Sequence, residues 1–182
     1  MFSNKYSSIL ALKIINMEIW DLYDKNYNLT GESLVRGNPV PEGRYHLVIH
    51  FWLINSKGEH LIQKRSELTT GGQGKWALTG GSALKGENSR QAVIREVGEE
   101  IGSFIDDEDE LIKLSSTHRE NFILDIWYLK KDVLLENFEI GEEVSAVKYA
   151  SEKEVRRLVE TEEFWYYHES YIDQMFELAS EV

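Results

Sequence analysis

Residues 81–103 read GSALKGENSRQAVIREVGEEIGS, and the interpretation of the whole chain depends on this stretch. Asn88 or Ser89 can cap the start of a helix, and Gly102 stands where a left-handed residue would end it. Apolar side chains recur between them every four residues, at Val93, Val97 and Ile101. This spacing places them on one side of a helix, where they can be buried. The pattern predicts a helix over residues 88–101.

Three glutamates of this stretch, Glu96, Glu99 and Glu100, are spaced i, i+3 and i+4 and therefore share one helical face. Like charges at this spacing destabilise a bare helix by roughly 0.2–0.5 kcal/mol per pair. A hard divalent cation such as Mg²⁺ removes that repulsion, because it prefers carboxylate oxygens as ligands. Arg95, four residues before Glu99, can orient the carboxylates. The competing interpretation is a solvated acidic face, the commoner cause of neighbouring glutamates.

The spacing of further residues favours the metal site over the solvated face. Gly81 is followed by five residues, Glu87, seven more residues and then REVGEEIGS at 95–103. This order resembles the Nudix box, the motif of the Nudix (MutT-like) hydrolases, at every fixed position. The last apolar position of the motif is Ser103 here, with Phe104 just behind it. That departure concerns packing at the helix exit and leaves the acidic groups intact.

The resemblance implies a loop-helix-loop that holds Mg²⁺ or Mn²⁺ against a diphosphate. Carried over by position, the metal ligands would be the Gly81 carbonyl, Glu96, Glu99 and Glu100. Glu87 would support the site and Arg95 would orient the carboxylates. Glu96 is the candidate for activating the attacking water, so Glu96, Arg95 and Glu99 form the expected catalytic set. The implied reaction is pyrophosphohydrolysis, in which water attacks phosphorus in a nucleoside diphosphate linked to another moiety.

Segments outside the box predict the rest of the fold. Strands are expected within residues 18–24, 45–54, 59–65, 76–79, 122–129 and 144–149, from alternating or β-branched patterns bounded by turn residues. Helices are expected at 151–160, where Ser151 and Glu154 are spaced as a capping box, and at 161–179. Strands come first, then a helix, then strands, then helices. This order indicates an α+β fold, an α/β/α sandwich in which helices flank a mixed β-sheet.

Residues outside the box are candidates for binding the substrate. Arg65 ends a predicted strand where many Nudix proteins place an arginine toward the phosphates, and Lys64 precedes it. Trp76 resembles the tryptophan that often stands before the box, which is more often structural than base-stacking. Glu142 and Glu143, in a loop before a strand, are candidates for an additional metal ligand or base. A surface arginine and solvated loop acids are the competing interpretations.

The resemblance extends over roughly residues 18–159 to the Nudix branch related to isopentenyl-diphosphate isomerase. WDLYD at 20–24, YHLV at 45–48 and WLIN at 52–55 carry it. The isomerase needs a cysteine just before the box glycine and a histidine just after it. Gly80 and Ser82 occupy these positions here, and the chain has no cysteine. Hydrolysis is therefore favoured over isomerisation, and a non-catalytic nucleotide-binding module is the other alternative.

Length and charge limit the organisation and the partners. A chain of 182 residues fits one domain, so we assign residues 17–182 to a single Nudix domain and 1–16 to an N-terminal extension. The net charge of −12 disfavours nucleic acids, and a small nucleoside diphosphate derivative is the expected partner. Apolar runs are too short for a membrane span, and no signal-peptide pattern is visible. A cytoplasmic location is expected, and a homodimer is left open.

Overall fold

A computed structural model gives the fold and describes residues 18–165 and 169–180. The predicted extension over residues 1–16, and Met17 after it, lie outside the described residues. Among the helices of the described ranges, none combines the length and the hydropathy needed to cross a membrane.

The described part of the chain contains nine strands and three helices. The strands are β1 (Ile19–Tyr23), β2 (Leu29–Val35), β3 (His46–Ile54), β4 (His60–Arg65), β5 (Trp76–Ala77), β6 (Thr79–Ser82), β7 (Ile112–His118), β8 (Phe122–Lys130) and β9 (Val144–Ala150). The helices are α1 (Ser89–Glu100), α2 (Glu152–Glu160) and α3 (Glu169–Ser180). Single 3₁₀ turns lie at Glu108–Glu110 and Leu135–Asn137.

Seven of these strands form one mixed sheet, with β5, β4, β3, β8 and β7 in order across it. The central strand β3 is buried along its whole length and pairs with β8 in parallel. It also pairs with β6 antiparallel, while β9 pairs with β4. A β1–β2 hairpin stands apart from the sheet and is joined to it by a bridge between Tyr23 and Tyr45.

Alternate side chains of β3 and β8 point to opposite sides of the sheet, so both faces carry apolar side chains to be covered. Helices cover each of the two faces. On one face, Val93, Val97 and Ile101 of the α1 segment pack among core side chains that include Ile49, as their spacing predicted. On the other face, apolar side chains of α2 and α3 pack against a second cluster, which includes Trp52, Leu124, Val155, Leu158, Ile172 and Met175. The predicted sandwich of sheet and helices is therefore confirmed.

Two sequence-based predictions of secondary structure are corrected. The strand expected at 76–79 is divided into β5 and β6. The helix expected from Thr161 begins at Glu169 instead, since residues 161–165 are not helical. Glu162 has φ +58, a left-handed conformation that ends the preceding helix. The segment after it lies extended beside Trp76, whose amide donates to the Glu163 carbonyl oxygen at 2.8 Å.

Candidate active site

Helix α1 is fixed at both ends by local hydrogen bonds. The side chain of Asn88 accepts from the Gln91 amide at 3.0 Å, and the side chain of Gln91 accepts from the Asn88 amide at 2.9 Å. This reciprocal pair is a capping box, so the predicted cap is confirmed at Asn88. At the other end, Gly102 has φ +94, as its position after the helix predicted.

A cavity of about 280 Å³ lies beside α1 and gathers residues from distant parts of the chain. Its lining is Glu18, Arg36, Val48, Arg65, Gly80, Gly81, Ser82, Arg95, Glu96, Glu99, Glu100, Glu142, Glu143 and Trp165. The three box glutamates are thus brought together with both loop glutamates and with Arg65, as the sequence predicted.

Glu100 is the most deeply buried of the three box glutamates, with 7% of its surface exposed. Its carboxylate accepts from Gln63 Nε2 at 2.8 Å and from the Gly80 amide at 3.1 Å. Thr79 Oγ1 in turn donates to Gln63 Oε1 at 3.0 Å, which fixes the amide. Burial raises the pKa of Glu100 to about 8, and the nearby charge of Glu96 adds to this. Binding a cation would offset this unfavourable burial of charge.

Glu96 lies against the backbone of Gly81, and its side chain is only 14% exposed. A Cβ atom placed on Gly81 would lie 2.5 Å from Glu96 Cδ, so only glycine leaves room for this carboxylate. Burial raises the pKa of Glu96 to about 7, against the lowering effect of Arg95. By contrast, the side chain of Glu99 is 62% exposed. The box glutamates therefore range from buried to solvent-facing along one helix surface.

Arg95 joins four oxygen-bearing groups around the helix. Its Nε donates to Glu87 at 2.8 Å, and its Nη1 donates to Glu96 and Glu99, each at 2.9 Å. Nη2 donates to the Ser82 carbonyl oxygen at 3.0 Å. Burial alone would raise the pKa of Glu87, but its hydrogen bonds from Arg95 and from the Leu84 amide lower it instead. Arg95 therefore orients the carboxylates, and Glu87 holds Arg95 in place.

The donor chemistry of this cavity suits a hard divalent cation, since it offers several carboxylate oxygens in a partly dry setting. Among residues 18–165 and 169–180, however, no group of three or more carboxylate or histidine side chains is already arranged to hold a metal ion. Arg95 engages the carboxylates of Glu96 and Glu99 in this arrangement. The groups fit a hard cation by their type, and they line one cavity.

Besides Arg95, two arginines bring positive charge to the cavity. Arg65 Nε donates to the Gly71 carbonyl oxygen at 2.6 Å, and the Arg65 charge lowers the pKa of Glu100, in opposition to burial. Arg36, at the end of the β1–β2 hairpin, forms an ion pair with Glu18. Sequence reasoning proposed Arg65 and missed Arg36, because nothing in the hairpin sequence indicates that it reaches the site.

The loop that carries Glu142 and Glu143 abuts the end of α1. The Gly141 amide donates to the Glu100 carbonyl oxygen at 3.0 Å. A Cβ atom on Gly141 would collide with the Glu99 carbonyl oxygen, so the approach requires glycine. Both loop glutamates are thereby held next to the helix that carries the box glutamates.

Lys64 and Trp76, which we predicted as substrate-binding candidates, are not among the residues that line the cavity. Successive strand residues point to opposite faces, so Lys64 leaves the face that Gln63 and Arg65 occupy. The Trp76 ring instead packs on the cluster beneath α2 and α3, with Lys148 Nζ 4.3 Å from its centroid and Lys64 Nζ at 6.0 Å. The structure thus gives Trp76 the packing role that is the commoner one for a tryptophan at this position.

The two residues beside the box glycine are tightly constrained. A Cβ atom on Gly80 would collide with the Ile49 carbonyl oxygen and lie 2.9 Å from His50 Cδ2. No larger residue therefore fits at position 80 without a backbone shift. Ser82 lies 3.4 Å from His46 Nδ1, but His46 is buried under the Trp20 ring, at 4.2 Å between centroids. Burial lowers the pKa of His46 to about 4, as suits a neutral core histidine.

Comparison with known proteins identifies the family. A model of the NUDIX domain matches residues 44–173. An uncharacterized Nudix hydrolase from Listeria monocytogenes is 41% identical over 166 residues, which cover 90% of this chain and 96% of that protein. The chain therefore belongs to the Nudix family of hydrolases, as the spacing of residues 81–103 predicted.

Solved structures agree on the fold. The crystal structure of DR0079 from Deinococcus radiodurans matches with a TM-score of 0.70 at 19% identity, covering 90% of this chain and 98% of that chain. A bifunctional NMN adenylyltransferase/ADP ribose pyrophosphatase from Francisella tularensis, complexed with AMP and a Mn ion, matches with a TM-score of 0.57 at 16% identity. It covers 79% of this chain and 44% of that chain. The α+β Nudix fold is thus confirmed, while the branch related to isopentenyl-diphosphate isomerase stays a prediction.

Proposed function

We propose that the chain is a divalent-metal-dependent pyrophosphohydrolase that cleaves a nucleoside diphosphate linked to another moiety. The observation that carries this proposal is the cavity itself, where three glutamates of one helix meet two arginines from separate elements. Carboxylates suit Mg²⁺ or Mn²⁺, and guanidinium groups suit phosphate oxygens. A diphosphate bound there would meet both kinds of group at once.

Each box residue has a role in this proposal. Glu96, Glu99 and Glu100 hold the cation, with the Gly81 carbonyl as a further ligand. When bound, the cation lowers the pKa of water and stabilises charge on the phosphoryl oxygens. Glu96 accepts the proton of the attacking water, and Arg95 positions the carboxylates.

The remaining groups of the cavity bind the substrate or complete the site. Arg65 and Arg36 donate to the phosphate oxygens, which fixes the phosphorus for attack. Glu142 or Glu143 supplies an additional ligand or a second base, since both line the cavity. The Francisella tularensis neighbour binds AMP and a Mn ion, which supports a nucleotide and Mn²⁺ as an alternative cation. A cytoplasmic location and a homodimer stay predictions.

The proposal is tested by phosphate release from a panel of nucleoside di- and triphosphates, nucleotide sugars, dinucleoside polyphosphates and dinucleotide coenzymes. We expect turnover of at least one class with Mg²⁺ or Mn²⁺, and its loss on chelation. Glu99→Gln should lower kcat by on the order of 10²-fold, because metal-assisted catalysis supplies several kcal/mol. Glu110→Gln removes the same charge from an exposed residue outside the cavity and should change nothing.

Two outcomes would contradict the proposal. Normal turnover by Glu99→Gln on every substrate would remove the metal-site assignment. Tight nucleotide binding without any hydrolysis would favour a binding module. Incubation with isopentenyl diphosphate tests the isomerase alternative, and we expect no isomer, because Gly80 leaves no room for a proton-transferring side chain.

A further inference from the structure

Trp165 stands out among the cavity residues as a large aromatic side chain that is 40% exposed. Its neighbour Phe164 is only 2% exposed and packs in the cluster beneath α3. Burial of a whole tryptophan would be the ordinary result of core packing. An indole that is partly open and lines a polar cavity is accessible to a ligand in that cavity.

The backbone of Trp165 is firmly placed. Its amide donates to the Trp76 carbonyl oxygen at 2.7 Å, while the Trp76 amide donates to Glu163 at 2.8 Å. Phe164 bridges to Trp76 between these two bonds and is buried. The indole thus extends from an anchored segment, so little side-chain freedom is lost when a ligand contacts it.

One face of the indole is covered by a glycine loop. A Cβ atom on Gly72 would lie 2.8 Å from the Trp165 ring atoms Cδ2 and Cε3, and one on Gly71 would lie 3.6 Å from Cζ2 and Cη2. Gly72 meets the Cγ–Cδ2–Cε3 side of the ring system and Gly71 its opposite side, so the loop lies across a face and not along one edge. Arg65 Nε in turn donates to the Gly71 carbonyl oxygen at 2.6 Å. The glycine backbone therefore supports the ring from one side.

We infer that Trp165 is a stacking platform for the planar base of the substrate nucleotide. This inference rests on the proposed function and extends it to a group that recognises the non-phosphate part. The indole lies on Gly71 and Gly72, and Trp165 lines the same cavity as Arg65. A nucleotide can therefore place its base on Trp165 and its phosphates against Arg65 within one cavity.

The chemistry of the platform selects a planar ring over a sugar or an aliphatic chain. Stacking of a base on an aromatic side chain strengthens binding by about 5- to 150-fold, as judged by alanine substitution. Every base has such a face, so the platform recognises a nucleobase without choosing which one. Arg65 connects the platform for the base with the part of the cavity that binds the phosphates. It fixes the loop under the indole and also lines the cavity.

The inference is tested by calorimetric binding of AMP, CMP, GMP and UMP against ribose 5-phosphate, all in Mg²⁺. Each nucleotide differs from ribose 5-phosphate by its base, and binding is read without any turnover. Wild-type protein should bind each of the four nucleotides about 5- to 150-fold more tightly than ribose 5-phosphate. Trp165→Ala should lose that advantage, and Trp165→Phe should keep part of it. Leu68→Ala, an exposed apolar change in the same loop, is the control and should keep all of it.

The outcomes separate this inference from the proposed function. If Trp165→Ala keeps the full advantage of the nucleotide, the platform is wrong even when hydrolysis is observed. The platform is also wrong if Trp165→Ala weakens binding of the nucleotide and of ribose 5-phosphate by the same factor, because that result indicates collapse of the glycine loop. If only the nucleotide is weakened, the platform holds even for a protein that hydrolyses nothing.

Discussion

Two surfaces of the cavity are built in different ways. The acidic surface consists of Glu96, Glu99 and Glu100, which lie within about one turn at the C-terminal end of one capped helix. The assembled surface consists of Arg36, Arg65 and Trp165, which come from a hairpin end, a strand end and an extended segment. The first is therefore determined by spacing within a helix, and the second only by the tertiary fold.

In the proposed function, the acidic surface serves catalysis and the assembled surface serves recognition of the substrate. The acidic surface is held by Arg95 and by Gly81, so its geometry tolerates little change. The residues of the assembled surface lie on segments that can vary independently, as binding residues on loops usually can. We expect substitutions on the acidic surface to abolish turnover and those on the assembled surface to change substrate affinity.

The largest effect should follow from one added methyl group on the acidic surface. In Gly81→Ala the new Cβ would lie 2.5 Å from Glu96 Cδ, so this carboxylate must move. We expect kcat to fall on the order of 10²-fold, because the metal ligands lose their alignment. Circular dichroism should show an intact fold, since the displaced atoms end a flexible side chain. An unchanged kcat would contradict the role given to Gly81 and Glu96.

A smaller effect is expected from the assembled surface, where the neighbours Arg65 and Lys64 provide a matched pair. Arg65→Ala should raise KM by about 10-fold or more, because hydrogen bonds to charged groups contribute about 1.5–3 kcal/mol. Lys64→Ala removes the same charge from the opposite face of β4 and should leave KM within about threefold. Steady-state kinetics on the best substrate measures both. Equal effects would show that net charge, and not position, attracts the substrate.

The pH dependence of stability reports on the acidic surface without any substrate. The pKa values of Glu96 and Glu100 are raised to about 7 and about 8 in the folded chain, so the folded state retains protons that the unfolded state releases above about pH 4.5. Their contribution to stability is therefore full below that pH and is lost as the pH rises through 7 to 8.

We accordingly expect the metal-free Tm to fall between pH 5.5 and 8.5. The increase in Tm caused by Mg²⁺ should be larger at pH 8.5, because ligands bind the cation in their ionised form. Thermal scans with Mg²⁺ or with a chelator measure both effects. Glu100→Gln removes one of the two groups and should flatten the metal-free profile. A metal-free Tm that rises over this range would contradict the raised pKa values.

The smallest effect concerns the helix that carries the acidic surface. Gly98 lies inside α1, and a Cβ atom there would meet only Ser103 Oγ, at 3.4 Å. Gly98→Ala should therefore raise the free energy of unfolding by about 0.5–1 kcal/mol through helix propensity. Chemical denaturation measures the change, and activity should be retained. Loss of activity here would show that α1 must flex during turnover.

The acidic surface could be predicted from the sequence because its chemistry is local. Capping at Asn88, the stop at Gly102 and the glutamate spacing all depend on residues within one helix. Strands β2 and β7 were not predicted, because their own residues do not form a recognisable strand pattern. Gly31 and the exposed side chains of β2, and the serines of β7, give neither strand a clear alternation of apolar and polar residues.

The assembled surface could be predicted only in part. Arg65 was predicted because the family resemblance places an arginine at this strand end, whereas Lys64, also predicted to bind the substrate, does not line the cavity. Arg36 and Trp165 reach the cavity through tertiary contacts that no local pattern contains. The helix predicted over residues 161–179 would have included Trp165, but the left-handed Glu162 instead directs the chain along Trp76.

The parallel pairing of β3 with β8 has a consequence for biosynthesis. Residues 46–54 can find their parallel partner only after residues 122–130 have left the ribosome, whereas α1 is synthesised well before that. Until then the sheet that the apolar stripe of α1 covers is incomplete. Apolar side chains and unpaired strand edges stay exposed, and such exposure promotes aggregation of nascent chains. Helix α1 is therefore made early but becomes part of a stable molecule late.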